Sequence, residues 1–202
     1  MFRRRLRRPR LFRRRPLRRL PGAPPVRPPL SPKARRALAR ANSLLADGQF
    51  AEAAGMFEEL SEGAKQRGML VRAADLTLQA CRAHFSADDV DAALERAREA
   101  LRLLVRGGRA GRVGRVLPRM TAALRRKGYD AQADQLEQEA AQALEGVGLS
   151  LDEVRQRVPQ VTERRGTLPA RCSGCGAQLV PDEVEWHGAH AAECLYCGTV
   201  IK

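Results

Sequence analysis

Gly48-Gln-Phe50-Ala-Glu-Ala53-Ala-Gly-Met-Phe57 is the stretch that decides how this chain folds. Phe50, Ala53 and Phe57 are spaced three and four apart, which places them on one stripe of a helix entered through Gly48. The pattern returns as Asp88-Asp-Val90-Asp-Ala-Ala93, and again as Gly128-Tyr129-Asp-Ala-Gln-Ala133 with its aromatic one place early. Ala53, Ala93 and Ala133 stand 40 residues apart. Phe57, Ala97 and Glu137 follow at equivalent places, as do Leu60, Ala100 and Ala140. Upstream of each copy lies another amphipathic stretch, carried by Leu38, Ala41, Leu44 and Leu45, then Ala73, Leu76, Ala80 and Ala83, then Val113, Val116, Leu117, Met120 and Leu124. The chain therefore predicts a mainly α fold of helical hairpins over residues 33–145.

The order Gly48, Phe50, Ala53, Phe57 resembles the second helix of the tetratricopeptide repeat. The later copies match only in part. Glu137 replaces the packed aromatic, and the period of 40 exceeds that family's 34. The resemblance implies an array whose concave face takes a peptide or helix of a protein partner. A generic antiparallel helical bundle meets the same periodicity. The repeat register starts the first helix of the third copy near Gly114, with Gly107, Gly108 and Gly111 as loop. It expects Pro118 in the first turn, where amide donors are unpaired in any case. A start at Arg109 would bury Pro118 inside the helix at about 3 kcal/mol. Leu149-Ser150-Leu-Asp-Glu153 carries a Ser-x-x-Glu capping box, so a short helix should run to about Arg157 and stop before Pro159. Residues 146–170 then form this helix and a linker.

Residues 171–202 are a different kind of sequence. Cys172-Ser-Gly-Cys175-Gly176 and Cys194-Leu-Tyr-Cys197-Gly198 are two Cys-x-x-Cys pairs, each closed by a glycine. Four thiolates with no open position are what a structural zinc ion requires. A two-residue gap lets one tight turn present both sulfurs, and the glycine supplies the positive φ that turns amides towards them. Gln178-Leu179-Val180 and Val184-Glu185-Trp186 read as the strands of a hairpin about Pro181-Asp182. The segment resembles the zinc-ribbon family, specifically at Cys172, Cys175, Cys194 and Cys197, and one zinc ion should supply its stability. His187 and His190 are surplus to a complete four-cysteine set. Thioredoxin-type redox chemistry fits less well, since it uses one such pair at the start of a helix. Trp186 could stack on a base, but is expected to pack the small core of the module.

Charge divides the chain sharply. Residues 1–32 hold twelve arginines, eight prolines and no acid, whereas the last 32 residues are net acidic. The arm lacks the apolar surface to offset its ordering entropy and is expected to be disordered when unbound. Its interleaved Phe2, Leu6, Leu11 and Phe12 suit an anionic membrane surface or nucleic-acid phosphates, and a solvated tail accounts for the composition equally. Arginine outnumbers lysine 33 to 4, a bias that genome composition explains without phosphate recognition. Arg102–Lys127 holds nine basic residues and no acid, with Arg112, Arg115 and Arg119 on one helical face. That face is expected to be solvated, or else a patch for an anionic partner. A four-thiolate zinc site would add negative charge to the acidic module, so phosphate recognition there is disfavoured.

Five cysteines, four of them in paired spacing, argue for metal binding in a reducing compartment rather than a disulfide framework. Cys81, in an apolar helical stripe, reads as a small hydrophobe. No apolar run approaches a membrane span and no signal-peptide core is evident, which points to the cytoplasm. The sequence holds no phosphate-binding glycine loop, nucleophile elbow or carboxylate constellation. The reading is therefore a non-enzymatic protein–protein adaptor with no small-molecule substrate. The alternatives are nucleic-acid or ribosome association through the arm, and a peripheral membrane regulator.

Overall fold

Six residues with positive φ pace the architecture. Gly48, Gly68, Asp88, Gly108, Gly128 and Gly148 all lie in the left-handed region, at intervals of 20 residues. Each is followed by an amide that reaches the carbonyl five residues back, from Gln49 N to Leu44 O through to Leu149 N to Leu144 O. This is the Schellman closure, which ends a helix and satisfies its last carbonyls. The 40-residue period of the sequence is thus two 20-residue helix-and-turn units.

The computed structural model describes residues 30–156, 166–181, 184–187 and 190–201. Its helices are α1 (Pro32–Ala46), α2 (Phe50–Gln66), α3 (Leu70–Ser86), α4 (Val90–Arg106), α5 (Val113–Arg126), α6 (Asp130–Glu145) and α7 (Leu151–Gln156). A 3-10 turn, Ala110–Arg112, precedes α5. The strands β1 (Val184–Trp186), β2 (Ala192–Cys194) and β3 (Val200–Ile201) form one antiparallel sheet in that order. The fold is mainly α with a small C-terminal sheet, as the sequence predicts. Residues 1–29 of the arm, residues 157–165 of the linker and Asp182 of the expected turn lie outside the described residues. Among the described residues no helix is long and apolar enough to cross a membrane.

Burial follows the 20-residue unit. Ala53, Ala73, Ala93, Val113 and Ala133 recur once per helix, and none is more than 2% exposed. Small side chains at these places let consecutive helices approach closely, with Phe57 fully buried. Between α2 and α3 the buried Ser61 hydroxyl meets Thr77 Oγ1 at 2.7 Å and Ala73 O at 3.1 Å, so neither hydroxyl is left unsatisfied. Lys65 of α2 pairs with Glu99 of α4, and Arg98 of α4 with Glu139 of α6, each at 2.7 Å. These pairs run across α2, α4 and α6. Glu137, where the repeat pattern asks for an aromatic, pairs instead with Arg125 and Arg155.

Asp88 is the one non-glycine with positive φ among the described residues. Its carboxylate pairs with Lys127, whose ammonium also donates to Phe85 O at 3.0 Å and lies 4.4 Å from the Phe85 ring centre. An L-residue pays in sterics for this conformation, whereas an exposed ion pair contributes little. Asp88→Gly should therefore stabilise the protein by up to about 1 kcal/mol in urea unfolding.

The start of α5 departs from expectation. The helix begins at Val113, one residue from the place expected, but Pro118 is then its sixth residue and lies in the second turn. The first turn of the unit is instead the 3-10 turn, closed by Arg112 N to Arg109 O at 2.9 Å. Pro118 has no amide to give to the Gly114 carbonyl, so the helix carries the proline inside it. Gly114 matters for a second reason. A Cβ there would stand 2.3 Å from Val154 O, so α7 lies directly against the α5 backbone. The capping box that starts α7 is formed, with Ser150 N donating to Glu153 Oε2 at 2.8 Å and Glu153 N to Ser150 Oγ at 3.2 Å. Gly114→Val should push α7 off α5 and cost about 1–3 kcal/mol in urea unfolding, since the backbone cannot yield as a side chain would.

The C-terminal unit also differs in detail. Gln178-Leu179-Val180 is not a strand paired with β1. Instead Gln178 bridges Arg171, and Leu179 N donates to Ala170 O at 3.0 Å. The chain folds back on itself around the first cysteine pair, leaving β1 to pair with β2 in the register Val184 to Cys194. Trp186 packs against the core and donates its indole N–H to Pro181 O at 2.8 Å. The buried residues of this unit and of the helices form one continuous cluster.

Candidate metal centre

The two cysteine turns repeat each other bond for bond. In the first, Gly176 N donates to Cys172 O and Cys172 N to Ala177 O, both at 2.8 Å. In the second, Gly198 N donates to Cys194 O at 2.9 Å and Cys194 N to Thr199 O at 3.0 Å. Gly176 and Gly198 have φ of 71° and 77°, as the spacing predicts. The turns meet at Gly174, where a Cβ would strike Thr199 Oγ1 at 2.1 Å.

This arrangement brings Cys172, Cys175, Cys194 and Cys197 together, all buried and with their sulfurs within 4.8 Å of one another. The Cys172–Cys197 and Cys175–Cys194 separations are 3.6 and 3.8 Å. Four thiolates around one ion at about 2.3 Å stand about 3.8 Å apart in a tetrahedron. A disulfide would need about 2.05 Å. The four cysteines are therefore placed to hold a metal ion, and a tetrahedral set of four sulfurs suits zinc or iron.

The electrostatics point the same way. Hydrogen bonding to Cys172 and the other two sulfurs, together with burial, raises the pKa of Cys175. Cys194 is raised as well, chiefly by Cys172, whereas hydrogen bonding with Cys175 and Cys194 lowers Cys172 itself, so the sulfurs share their protons unequally. Four close sulfurs cannot all ionise unless a cation compensates them. Gly174 N, 3.4 Å from Cys172 Sγ, is an amide turned towards a sulfur.

Neither histidine joins the cluster. His187 Nε2 lies 3.1 Å from Glu193 Oε2, and His190 is exposed. Cys81 is half-buried on α3 and outside the sulfur cluster, and burial pushes its thiol up to about 12. It is not an activated nucleophile.

The centre is tied to the helices. Asn42 of α1, 6% exposed, donates its amide to both Leu38 O at 2.9 Å and Cys175 O at 2.8 Å. Behind this link lies a cavity of about 700 Å³, lined mainly by α1, α3, α5 and residues of the cysteine module, and in part by α2, α4 and α6. Arg112, Arg115 and Arg119 line it, so this arginine face turns towards the module and is not simply a solvated outer face. Arg112 Nη2 pairs at 2.7 Å with Asp75 of α3, a carboxylate 1% exposed. Burial works against the charge on Arg112, but Asp75 outweighs it, and with Tyr196 and Glu185 it raises the guanidinium pKa. Sequence reading missed this pair. The absence of acids from Arg102–Lys127, beside Asp75 as the one acid of α3, was the available signal.

The fold and site define a helical-hairpin protein with a four-cysteine module closed onto one face. Among protein-family models, curated proteins and solved structures, none matches this chain.

Proposed function

We propose that this protein is a non-enzymatic adaptor of the tetratricopeptide-like kind, in which a structural zinc ion held by Cys172, Cys175, Cys194 and Cys197 fixes one wall of a partner-binding cleft. The observation that carries this reading is the cavity itself. Its walls come mainly from the helices that lead each hairpin, α1, α3 and α5, with Phe50, Ala93, Leu94, Ala97 and Leu136 of the second helices also lining it, and the cysteine module on the other side. Cys175 both belongs to the sulfur cluster and accepts the hydrogen bond from Asn42, so metal binding and the shape of the cleft are coupled through one residue. Zinc bound by four cysteines has no open position and supplies stability rather than chemistry. Metal analysis of purified protein should give one zinc per chain. Less than half an equivalent, with four reactive thiols at 172–197, would remove the zinc assignment, and stoichiometric iron would replace it. For the adaptor role, affinity capture with the full chain should retain a protein partner that the metal-stripped chain loses.

The twelve arginines of residues 1–32 support a second reading, attachment to RNA, DNA or acidic lipid through the arm. That reading expects binding that weakens steeply with salt and vanishes when residues 1–32 are deleted. Full-length protein that ignores all three ligands at low salt would exclude it.

A further inference from the structure

The cavity between the helices and the cysteine module holds a polar group that no neighbour answers. Gln79 of α3 is 4% exposed and lines the cavity, yet among the described residues its carboxamide has no hydrogen-bond partner. Buried amides are nearly always paired, because the water they give up has to be replaced. The polar residues near it in the fold are committed. Asp75, one turn earlier on α3, pairs with Arg112 at 2.7 Å. Asn42 of α1, which also lines the cavity, gives both N–H bonds of its amide to Leu38 O and Cys175 O. That leaves Asn42 Oδ1 as a further acceptor with no donor among the described residues. The lining is otherwise largely apolar, with Leu78, Phe85, Val116, Met120 and Leu195 among its residues.

We infer that this cavity takes an Asn or Gln side chain of a partner protein, pairing with Gln79 and carried on a segment of otherwise apolar residues. The inference rests on the adaptor reading and names the partner's chemistry. Gln79 presents a carbonyl and an NH2 group on one planar end. A second primary carboxamide is the complement, with an N–H for Oε1 and a C=O for Nε2 side by side. A carboxylate accepts from Nε2 but has no hydrogen for Oε1 or for Asn42 Oδ1, and an ammonium or guanidinium has no acceptor for Nε2. An aliphatic or aromatic side chain fills space but leaves the amide bare, so its desolvation penalty stays. A volume of about 700 Å³ lies within the range of about 300–1,000 Å³ that encloses a compact ligand, or the anchoring side chains of a peptide. The arm of this same chain is not the occupant, since residues 1–32 contain no Asn or Gln.

The protein carries its own reporter, since Trp186 is the one tryptophan of the chain and lines the cavity. The experiment pans a phage-displayed library of random twelve-residue peptides against the full-length, zinc-loaded chain, then titrates the most enriched peptide while following Trp186 fluorescence. The expected result is a peptide with an Asn or Gln flanked by apolar residues that shifts Trp186 emission. Replacing that Asn or Gln by Met or by Glu should each weaken binding more than about tenfold. Gln79→Met, with helical signal and zinc content unchanged, should bind the carboxamide and Met peptides alike, because the pair and not the fold is what it removes. Gln66→Met, at an exposed position outside the cavity, should leave the preference intact. Enriched peptides without Asn or Gln, or a carboxamide preference that survives Gln79→Met, would overturn the inference while leaving the adaptor reading in place. No enriched peptide of any composition would count against both. If no peptide is enriched but butyramide, a free carboxamide, shifts Trp186 in the wild type and not in Gln79→Met, a compact ligand replaces the partner segment.

Discussion

Cys175→Ser, or removal of the metal by a chelator, is expected to unfold the C-terminal module while leaving α1–α6 helical. The sheet has strands of three, three and two residues, far below what is independently stable. What closes it is the sulfur cluster, and a structural zinc contributes on the order of 10–16 kcal/mol of apparent binding free energy at neutral pH. The helical units need no such aid. Their cores of alanine, leucine and Phe57 are formed by neighbouring helices. Trp186 should therefore move to longer emission wavelength on chelation while far-ultraviolet helicity is largely retained. Asn42 would lose its partner at Cys175 O but keep the one at Leu38 O. Unchanged Trp186 emission in protein shown to be metal-free would sink the prediction. The pH dependence has a defined sign. A bound metal needs all four cysteines as thiolates, so its binding would oppose their protonation. The stabilisation is then present above the unfolded thiol pKa and lost as pH falls and protons displace the metal.

The helical part was legible in the sequence because its determinants are local. Ala53, Ala93 and Ala133 mark the packed face, and Gly48 and Gly128 mark turns, each within a single helix-and-turn unit. The finer 20-residue beat of Gly48, Gly68, Asp88, Gly108, Gly128 and Gly148 was equally open to inspection, but hidden by looking for two-helix repeats. The four cysteines were legible for the same reason, since each turn closes on itself over five residues. The errors lie where a distant partner decides. Gln178–Val180 has strand-forming residues, but closing the first cysteine turn takes its backbone to Ala170 and Arg171. Pro118 was misplaced because a 3-10 turn replaces the opening of the unit that holds α5. Nothing near Asn42 in sequence announces Cys175, 133 residues away, so the seating of the module on α1 could not be read. The same holds for the orientation of the arginine face, which the helix period puts on one side without saying what lies opposite.

The other large effect is expected at Asp75→Ala. Asp75 is 1% exposed and the Arg112 side chain 14%, with 2.7 Å between their charged atoms. Removing the carboxylate would leave a largely buried guanidinium without its Asp75 partner, a loss of about 3–5 kcal/mol by comparison with other broken buried pairs. The partial exposure of Arg112 favours the lower end, because water can reach part of the group. Urea unfolding of the full chain would measure it. Replacing both partners, as Asp75→Leu with Arg112→Met, should restore most of the loss, because an apolar pair avoids the desolvation of both ions. Failure of the double variant to recover would mean that Asp75 acts through contacts other than Arg112. The position of the pair gives the prediction its wider consequence. Arg112 ends the 3-10 turn that replaces a regular helix start, so its pair with Asp75 ties the start of α5 to α3. Loosening that bond lets α5 shift, and with it Arg115 and Arg119 on the cleft wall. Asp75→Ala should thus alter the cavity wall as well as stability, read as a shift in the emission of Trp186, which lines the same cavity.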